Sequence, residues 1–493
     1  MLPALPLWNT IAEHWQAWAV FTIDALLRIG LGVRVILRRQ PVPASLTWLV
    51  LLLFAPFLGA LLYLLMGENR LGGRRAKRLQ ALSTACEIQA LALWERQAAA
   101  QTPIPEEYSG FVQLGNTVSG FVPLRGNVLE IMDDANEVLD RLASDIDRAQ
   151  HHCHLLYYIW MPAGRGVTVA EALIRAAQRG VECRVLVDAV GSKKFLRSPW
   201  PQRMRAAGVK VTAALPVNPL RMLFARIDLR NHRKIAVIDG HTAYCGSQNL
   251  TDETFRSRKH RKTGPWIDTT VRIVGPAVLP LQTVFLRDWS CEEVEEITRL
   301  DPYFPEVPTR GTSLVHVIPS GPGPQPDAIH QALLAMLFSA KQEIIMTTPY
   351  FVPDEATKAA LLNAALRGVR VTLVVPDVLD AVIVAAASRS HYDELLEAGV
   401  RIMHHTEGLL HAKTAVIDQR LAVVTSANLD MRSFWLNFEV SLFIYDDDFA
   451  GMLRFLQTRY IDESEQIHLD EWRHRRVGRR FLDNAAQLLG PLL

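Results

Sequence analysis

The 493-residue sequence lacks several common signatures, and each absence narrows its reading. Its five cysteines, Cys86, Cys153, Cys183, Cys245 and Cys291, stand far apart and form no CxxC pair. That spacing argues against a zinc ribbon and a disulfide framework, and fits thiols kept reduced in a cytosol. There is no GxxxxGK[ST] loop and no strand–GxGxxG–helix unit, so no nucleotide-cradling loop is evident. The GPG at 321–323 lies among prolines and reads as linker. Charge of neither sign dominates: 53 basic residues against 51 acidic ones leave a net +2, so partners must be argued from local clusters. Lysine is scarce, ten of those 53, which gives weight to any lysine inside a motif. With 49% hydrophobic residues the chain is a folded protein, not a disordered one.

Charge is missing altogether from residues 46–66, LTWLVLLLFAPFLGALLYLLM. Twenty-one such residues match the ~20 that cross a bilayer as a helix, and no polar stripe marks a buried core helix. Pro56, mid-run, predicts a kink or a re-entrant hairpin. Residues 15–37 form a weaker second segment, with Asp24 and Arg28 spaced to pair at i, i+4. Arg70, Arg74, Arg75, Lys77 and Arg78 favour a cytoplasmic side after the second segment. Arg34, Arg38 and Arg39 in the connection oppose a simple hairpin, so the topology of residues 1–40 stays open. The second apolar run is too long for a signal h-region, and no A-x-A-like site follows it.

The remainder repeats itself. LIRAAQRGVECRVLV (173–187) echoes LLNAALRGVRVTLVV (361–375), each a helix end, a capping glycine (Gly180, Gly368) and a buried strand. YYIWMP (157–162) parallels TPYFVP (348–353), and RAAGVKV (205–211) parallels LEAGVRI (396–402). Alternating helical and apolar runs predict an α/β fold with central, mostly parallel sheets flanked by helices. The Pro-rich stretch 302–326 separates two such units.

The repeat also carries polar residues at fixed offsets. NHRKIAVIDG (231–240) contains His232, Lys234 and Asp239; LHAKTAVIDQ (410–419) contains His411, Lys413 and Asp418 at the same spacing. Ser247 and Asn249 follow the first motif as Ser426 and Asn428 follow the second. In a strand, i and i+2 share a face, so each His–Lys pair projects together toward substrate. Asp239 is out of phase and reads as a brace in the turn. Two histidines and two lysines without a metal set suit phosphoryl transfer. A neutral imidazole attacks phosphorus and a protonated one serves the leaving alkoxide, while Lys, Ser and Asn hold the non-bridging oxygens.

The doubled HxKxxxxD with its S-x-N companions resembles the phospholipase D superfamily. GSQNL (246–250), PWIDTTVRIVGPAV (265–278), IPSGPGPQPDAIHQALL (318–334), TTPYFVP (347–353) and SANLDMRSFWLNFEV (426–440), with the apolar N-terminus, make it similar to bacterial cardiolipin synthases. The resemblance implies two tandem phospholipase D-like domains behind N-terminal transmembrane helices. It implies transfer of a phosphatidyl group between two phosphatidylglycerols, giving cardiolipin and glycerol through a phosphatidyl-histidine. The alternative is a phospholipase D or a phosphatidylserine synthase-like transferase. Carried over, His232 is the nucleophile, His411 the general acid, and Lys234, Lys413, Asn249 and Asn428 hold phosphate. Asp268, in WID, and Glu439, in LNFE, orient the histidines. Thr425 departs from the pattern, standing where the first half has Gly246; a positive φ there would strain it.

The implied organisation is an anchor over 1–68 with segments at 15–37 and 46–66, a linker over 69–110, one domain over 111–300, a linker over 301–326 and a second domain over 327–493. No cofactor or metal is expected, and nucleic acid is not an expected partner. Phosphatidylglycerol, cardiolipin and an anionic membrane surface are; protein partners stay open. The implied location is the bacterial cytoplasmic membrane, with the domains facing the cytoplasm. HHCH (151–154) cannot converge on a metal from one strand, because neighbours face opposite sides. RSRKHRK (256–262) is either a solvated loop or a contact for anionic lipid. In the C-terminal tail Phe481, Leu482, Ala485, Leu488 and Leu489 recur at helical spacing behind arginines; packing on the domain is the plainer reading and lying on a membrane the alternative.

Overall fold

The structure, a computed structural model, describes residues 15–38, 42–68, 70–73, 75, 77–78, 106–217, 226–252, 264–292, 297, 300–323, 326–488 and 490. The basic stretch 256–262 therefore lies outside the described residues. The chain forms two compact units, one of Met1–Gly72 with Val217–Asp228, the other of Gly73–Pro216 with Leu229–Leu493.

Among the described residues of the first unit three helices stand where the sequence predicts two: α1 (Trp15–Leu37), α2 (Val42–Phe54) and α3 (Pro56–Met66). The apolar run 46–66 is not one helix. Proline at 56 has no N–H to continue the ladder and its ring collides with the preceding turn; Ala55 leaves helical geometry at φ −137°, ψ 67°. The chain then folds back, so that Trp48 and Tyr63 meet edge to face with ring centroids 5.5 Å apart. Gly59 permits the return, since a Cβ there would stand 2.8 Å from the Leu51 carbonyl oxygen. Among the described residues no helix is long and apolar enough to cross a membrane; the run turns back at Pro56, where the sequence predicts a kink or a re-entrant hairpin. The Asp24–Arg28 pair forms at 2.8 Å.

The second unit holds both repeats on one 16-stranded sheet. Its strands used below are β1 (Leu124–Met132), β2 (His152–Tyr157), β3 (Glu182–Asp188), β4 (Lys210–Ala214), β5 (Ile235–Ile238), β6 (Thr242–Gly246), β7 (Thr270–Val274), β8 (Ser313–Ser320), β9 (Glu343–Thr347), β10 (Arg370–Pro376), β11 (Arg401–His405), β12 (Thr414–Ile417), β13 (Leu421–Thr425) and β14 (Asn437–Tyr445). From one edge the order runs β4-β3-β2-β5-β6-β7-β1, and from the other, inside a short edge strand Ser464–Gln466, β11-β10-β9-β12-β13-β14-β8. These are the same series, joined by the antiparallel pair β1–β8. The sequence repeat is thus a structural one.

The sheet is mixed, but its parallel majority is not observed. Only β2–β3, β3–β4, β9–β10 and β10–β11 are parallel among these strands. Those are the helix–Gly–strand crossovers that the repeats display; Gly180 and Gly368 sit at φ +90° and +89° after their helices, as an L side chain rarely does. The motif strands instead turn back on themselves. β5–β6 and β12–β13 are hairpins, with Asp239 and Asp418 at φ 52° and 51° in the turns. Short connections of this kind force antiparallel pairing.

Candidate active site

Each motif histidine sits in irregular chain just before its strand, not within it. The two-residue strand Arg230–Asn231 pairs with Asn437–Phe438 of the second half, and the His232 amide donates to the Phe438 carbonyl at 2.9 Å. Reciprocally, Leu409–Leu410 pairs with Trp266–Ile267 of the first half, and the His411 amide donates to the Ile267 carbonyl at 2.7 Å. This exchange carries each histidine to a carboxylate of the other half. His232 Nδ1 lies 2.9 Å from Glu439 Oε1, and His411 Nδ1 lies 2.7 Å from Asp268 Oδ1. With Nδ1 bound to carboxylate, Nε2 is the ring nitrogen left for chemistry. Tyr158 meets His232 edge-on at 4.8 Å, and Trp266 stacks on His411 at 4.5 Å.

Both histidines line one cavity of about 420 Å³, with Asn249, Asn428, Arg230, Arg432, Tyr350 and Asp380 on its walls. The Asn249 side-chain oxygen accepts from the Ile159 amide at 3.0 Å, and its Nδ2 has no hydrogen-bond partner among the described residues. Asn428 Nδ2 donates to Asp430 at 3.1 Å. Tyr350 donates to Asp380 at 2.7 Å.

The serines stand elsewhere than expected. Ser247 Oγ donates to Asp268 Oδ1 at 2.6 Å and Ser426 Oγ to Glu439, both fully buried. They fix the carboxylates and do not face the cavity. The lysines also lie behind the histidines: Lys234 and Lys413 are 2% and 1% exposed, and donate to the His232 and His411 carbonyls at 2.6 and 2.7 Å. The expectation that each His–Lys pair projects together assumed a strand, and the backbone here is not one. Asp239 accepts from the amides of Gln150, His151 and His152 at 2.9, 2.8 and 2.9 Å. Asp418 does the same for Lys341, Gln342 and Glu343 at 2.8, 2.7 and 2.9 Å. Each thus ties its hairpin turn to the start of the neighbouring strand.

Thr425 is not strained, since neither it nor Gly246 has positive φ. Glycine is needed at 246 for space: a Cβ would stand 2.3 Å from the Thr269 carbonyl oxygen. Thr425 Oγ1 finds Ser441 Oγ at 2.6 Å instead.

Burial sets the protonation states. It pushes His232 down to about 4 against the pull of Glu439, and lowers His411 against Asp268. Burial opposes ionisation of Asp268, but the adjoining His411, with Lys413 and the Ser247 hydroxyl, holds it down to about 2. Glu439 is likewise lowered, its burial outweighed by His232 and Lys234. Burial also lowers Lys234 to about 7 and Lys413 to about 8. The resting site therefore holds neutral imidazoles donating to ionised carboxylates, above two ammonium groups that release protons readily.

His152 and His154 of the HHCH run serve packing. His154 lies between Arg184 at 3.2 Å and Gln282 at 2.7 Å, stacked on Phe285. Sequence reasoning missed Tyr158, Arg230, Tyr350, Asp380 and Arg432 as cavity walls. Arg230 and Arg432 lie within four residues of His232 and Asn428, so proximity to the motifs was the available signal.

Paired histidines on a duplicated mixed α/β sheet define a phospholipase D-like protein. The family described as "Cardiolipin synthase, PLD-like domain" matches residues 142–289 and 333–455, and "Phospholipase_D-nuclease N-terminal" matches 26–68. Cardiolipin synthase A of Serratia proteamaculans (strain 568) is 40% identical over 470 residues, covering 95% of this chain and 96% of its own. That of Erwinia tasmaniensis is 40% identical over 482 residues, covering 97% and 99%. A phosphatidylserine synthase structure from Haemophilus influenzae superposes with a TM-score of 0.60 at 14% identity over 79% of this chain and all of its own, a likeness of fold. The chain belongs to the cardiolipin synthase family of phospholipase D-like proteins.

Proposed function

We propose that this chain is a phosphatidyltransferase that makes cardiolipin from two phosphatidylglycerols by double displacement. The observation that carries the reading is the crossed pair His232–Glu439 and His411–Asp268 opening on one cavity. In the first step His232 Nε2 attacks the phosphorus of one phosphatidylglycerol. The P–O bond to the headgroup glycerol breaks, and protonated His411 gives its proton to the departing oxygen. Phosphatidyl-His232 and free glycerol result. In the second step a headgroup hydroxyl of another phosphatidylglycerol attacks the phosphorus and passes its proton to His411. The P–N bond breaks, releasing cardiolipin and neutral His232.

His411 is neutral in the free protein, because burial lowers it. An anionic diester between the two rings favours the imidazolium, so substrate binding brings the acid into its working form. Lys234 and Lys413 counter phosphate charge from behind the histidines, and Asn249 Nδ2 is placed to donate to a non-bridging oxygen. Ser247, Ser426, Asp268 and Glu439 act through the histidines, and Asp239 and Asp418 through the backbone. One diester becomes another, so no nucleotide is consumed.

The N-terminal unit attaches the enzyme to the membrane as an apolar helical hairpin. Phe54, Phe57, Leu58 and Leu61 point outward on it, and α2 is ~20 Å long, shorter than the ~30 Å hydrocarbon layer. The basic residues after position 69 support a cytoplasmic placement of the catalytic unit. Purified enzyme given labelled phosphatidylglycerol should yield cardiolipin and glycerol. Phosphatidic acid alone would mark a phospholipase, and phosphatidylserine on adding serine the other transferase.

A further inference from the structure

The C-terminal helix α5 (Val477–Gln487) lies against helix α4 (Val382–Ser390) with its polarity reversed. Its inward face carries Asp483, only 1% exposed, bound by Arg389 of α4 at 2.9 Å and by Arg475 at 3.0 Å. Its outward face carries Val477 and Phe481, 81% and 70% exposed, with Leu482 at 65% and, one residue beyond the helix, Leu488 at 78%. A helix on a water-facing surface places these groups the other way round. Helix α4 does the same at its start, where Val382 is 78% exposed and Ile383 51%. Two neighbouring helices thus offer one apolar surface, and packing on the domain does not explain the tail's large side chains.

We propose that α4 and α5 form a docking face that rests the catalytic unit on an anionic bilayer at the mouth of the cavity, a proposal that rests on the phosphatidyltransferase reading for its biological purpose. Continuity with the cavity names the occupant. Ala381 and Val384, at the start of α4, line the catalytic cavity, as does Val352. Val352 packs in turn against Ala387 of α4 and Ala486 of α5. The apolar surface therefore leads from the exposed helices to the place where a lipid phosphate must arrive with its acyl chains still in the membrane. Charge agrees: Arg476, Arg479 and Arg480 are all exposed on this helix and at its start, and long arginine side chains reach lipid headgroups while the apolar face enters the acyl boundary.

The test uses full-length enzyme reconstituted in vesicles of phosphatidylethanolamine and phosphatidylglycerol. Phe481→Cys, with Cys86 and Cys291 replaced by serine, carries a polarity-sensitive fluorophore. Quenching by nitroxide-labelled lipid, with protection from aqueous iodide, is expected. Quenching by iodide alone overturns the proposal, and protection from both quenchers shows a protein contact and overturns it too. This readout needs no turnover, so it stands apart from a failure of the transferase reading. In the double variant Phe481→Glu/Leu482→Glu, KM for vesicular phosphatidylglycerol should rise at least roughly tenfold, with turnover of monomeric short-chain phosphatidylglycerol kept. Unchanged vesicle kinetics contradict the proposal. Should both activities fall together with the melting temperature, Phe481→Ala/Leu482→Ala replaces the double variant, and the same vesicle-specific rise in KM is required of it.

Discussion

Glu439, on a strand of the second half, lies 2.9 Å from Nδ1 of His232 in the first, and both side chains are buried. Each histidine takes its carboxylate partner from the opposite half. The partner carboxylate arrives only because the short segments before each histidine pair with the opposite half. This mutual dependence makes the two repeats one catalytic unit, and it yields the first prediction.

Glu439→Gln and Asp268→Asn should each reduce kcat by about 10² or more, because an amide can hold the imidazole in the wrong tautomer. Each variant should impair the site although the mutated residue and its histidine belong to different halves. Steady-state kinetics on phosphatidylglycerol vesicles check this. Wild-type kcat in either variant would refute the orienting role.

The turn aspartates act on stability. Asp239→Ala strands three backbone amides and puts alanine at φ 52°. A loss of about 1–3 kcal/mol is expected, visible as a lower melting temperature. Asp239→Asn should cost less stability, since asparagine tolerates this backbone, yet still lower activity partly through structure. Activity lost with unchanged thermal stability would contradict the bracing role.

The pH profile follows from the buried lysines. Lys234 and Lys413, lowered to about 7 and about 8, shed their protons as pH rises, so kcat/KM should fall on the alkaline side from about pH 7–8. His232, lowered to about 4, stays neutral above that value, so the acid limb of nucleophile protonation should lie near pH 4. Bound diester raises the lysines, so the alkaline limb of kcat should sit higher than that of kcat/KM. The histidine also bears on stability. Its folded pKa is below the unfolded ~6.5, so the unfolded chain binds more protons between about pH 4 and 6.5, and stability falls as pH drops through that window.

The folded-back apolar run is testable by cross-linking. In one straight helix Trp48 and Tyr63 would stand ~22 Å apart, whereas here their rings meet. Trp48→Cys with Tyr63→Cys should be joined within one chain by a short bis-maleimide cross-linker in membranes, a reach that the two ends of a straight helix would exceed. Failure to cross-link, alongside an efficient cross-link between residues one turn apart, would favour a single span.

Much of the site is legible in the sequence because duplication prints it twice. The spacing of His232, Lys234 and Asp239 recurs at His411, Lys413 and Asp418, and the turn position of Asp239 follows from its odd offset. What is not legible is long-range. Nothing local tells that Arg230–Asn231 pairs with Asn437–Phe438, so the strand rule places Lys234 beside the substrate when the irregular backbone tucks it behind His232. Ser247 and Ser426 look like phosphate ligands by type, and only three-dimensional packing turns their hydroxyls onto carboxylates. Hydropathy alone reads 46–66 as one continuous span; the signal for the break is Pro56, which predicts a kink or a re-entrant hairpin without choosing between them. The expected parallel sheet likewise came from the visible helix–Gly–strand units, while the tight turns at Asp239 and Asp418 add antiparallel neighbours.

The most direct test of the central claim follows labelled phosphatidylglycerol through purified enzyme, with an alkaline quench that preserves phosphohistidine and peptide mass spectrometry. The account predicts equimolar cardiolipin and glycerol from the wild type and a phosphatidyl adduct on the peptide containing His232. It also predicts neither product from His232→Ala, and strongly reduced product from His411→Ala. Cardiolipin formed at the wild-type rate by His232→Ala would contradict it.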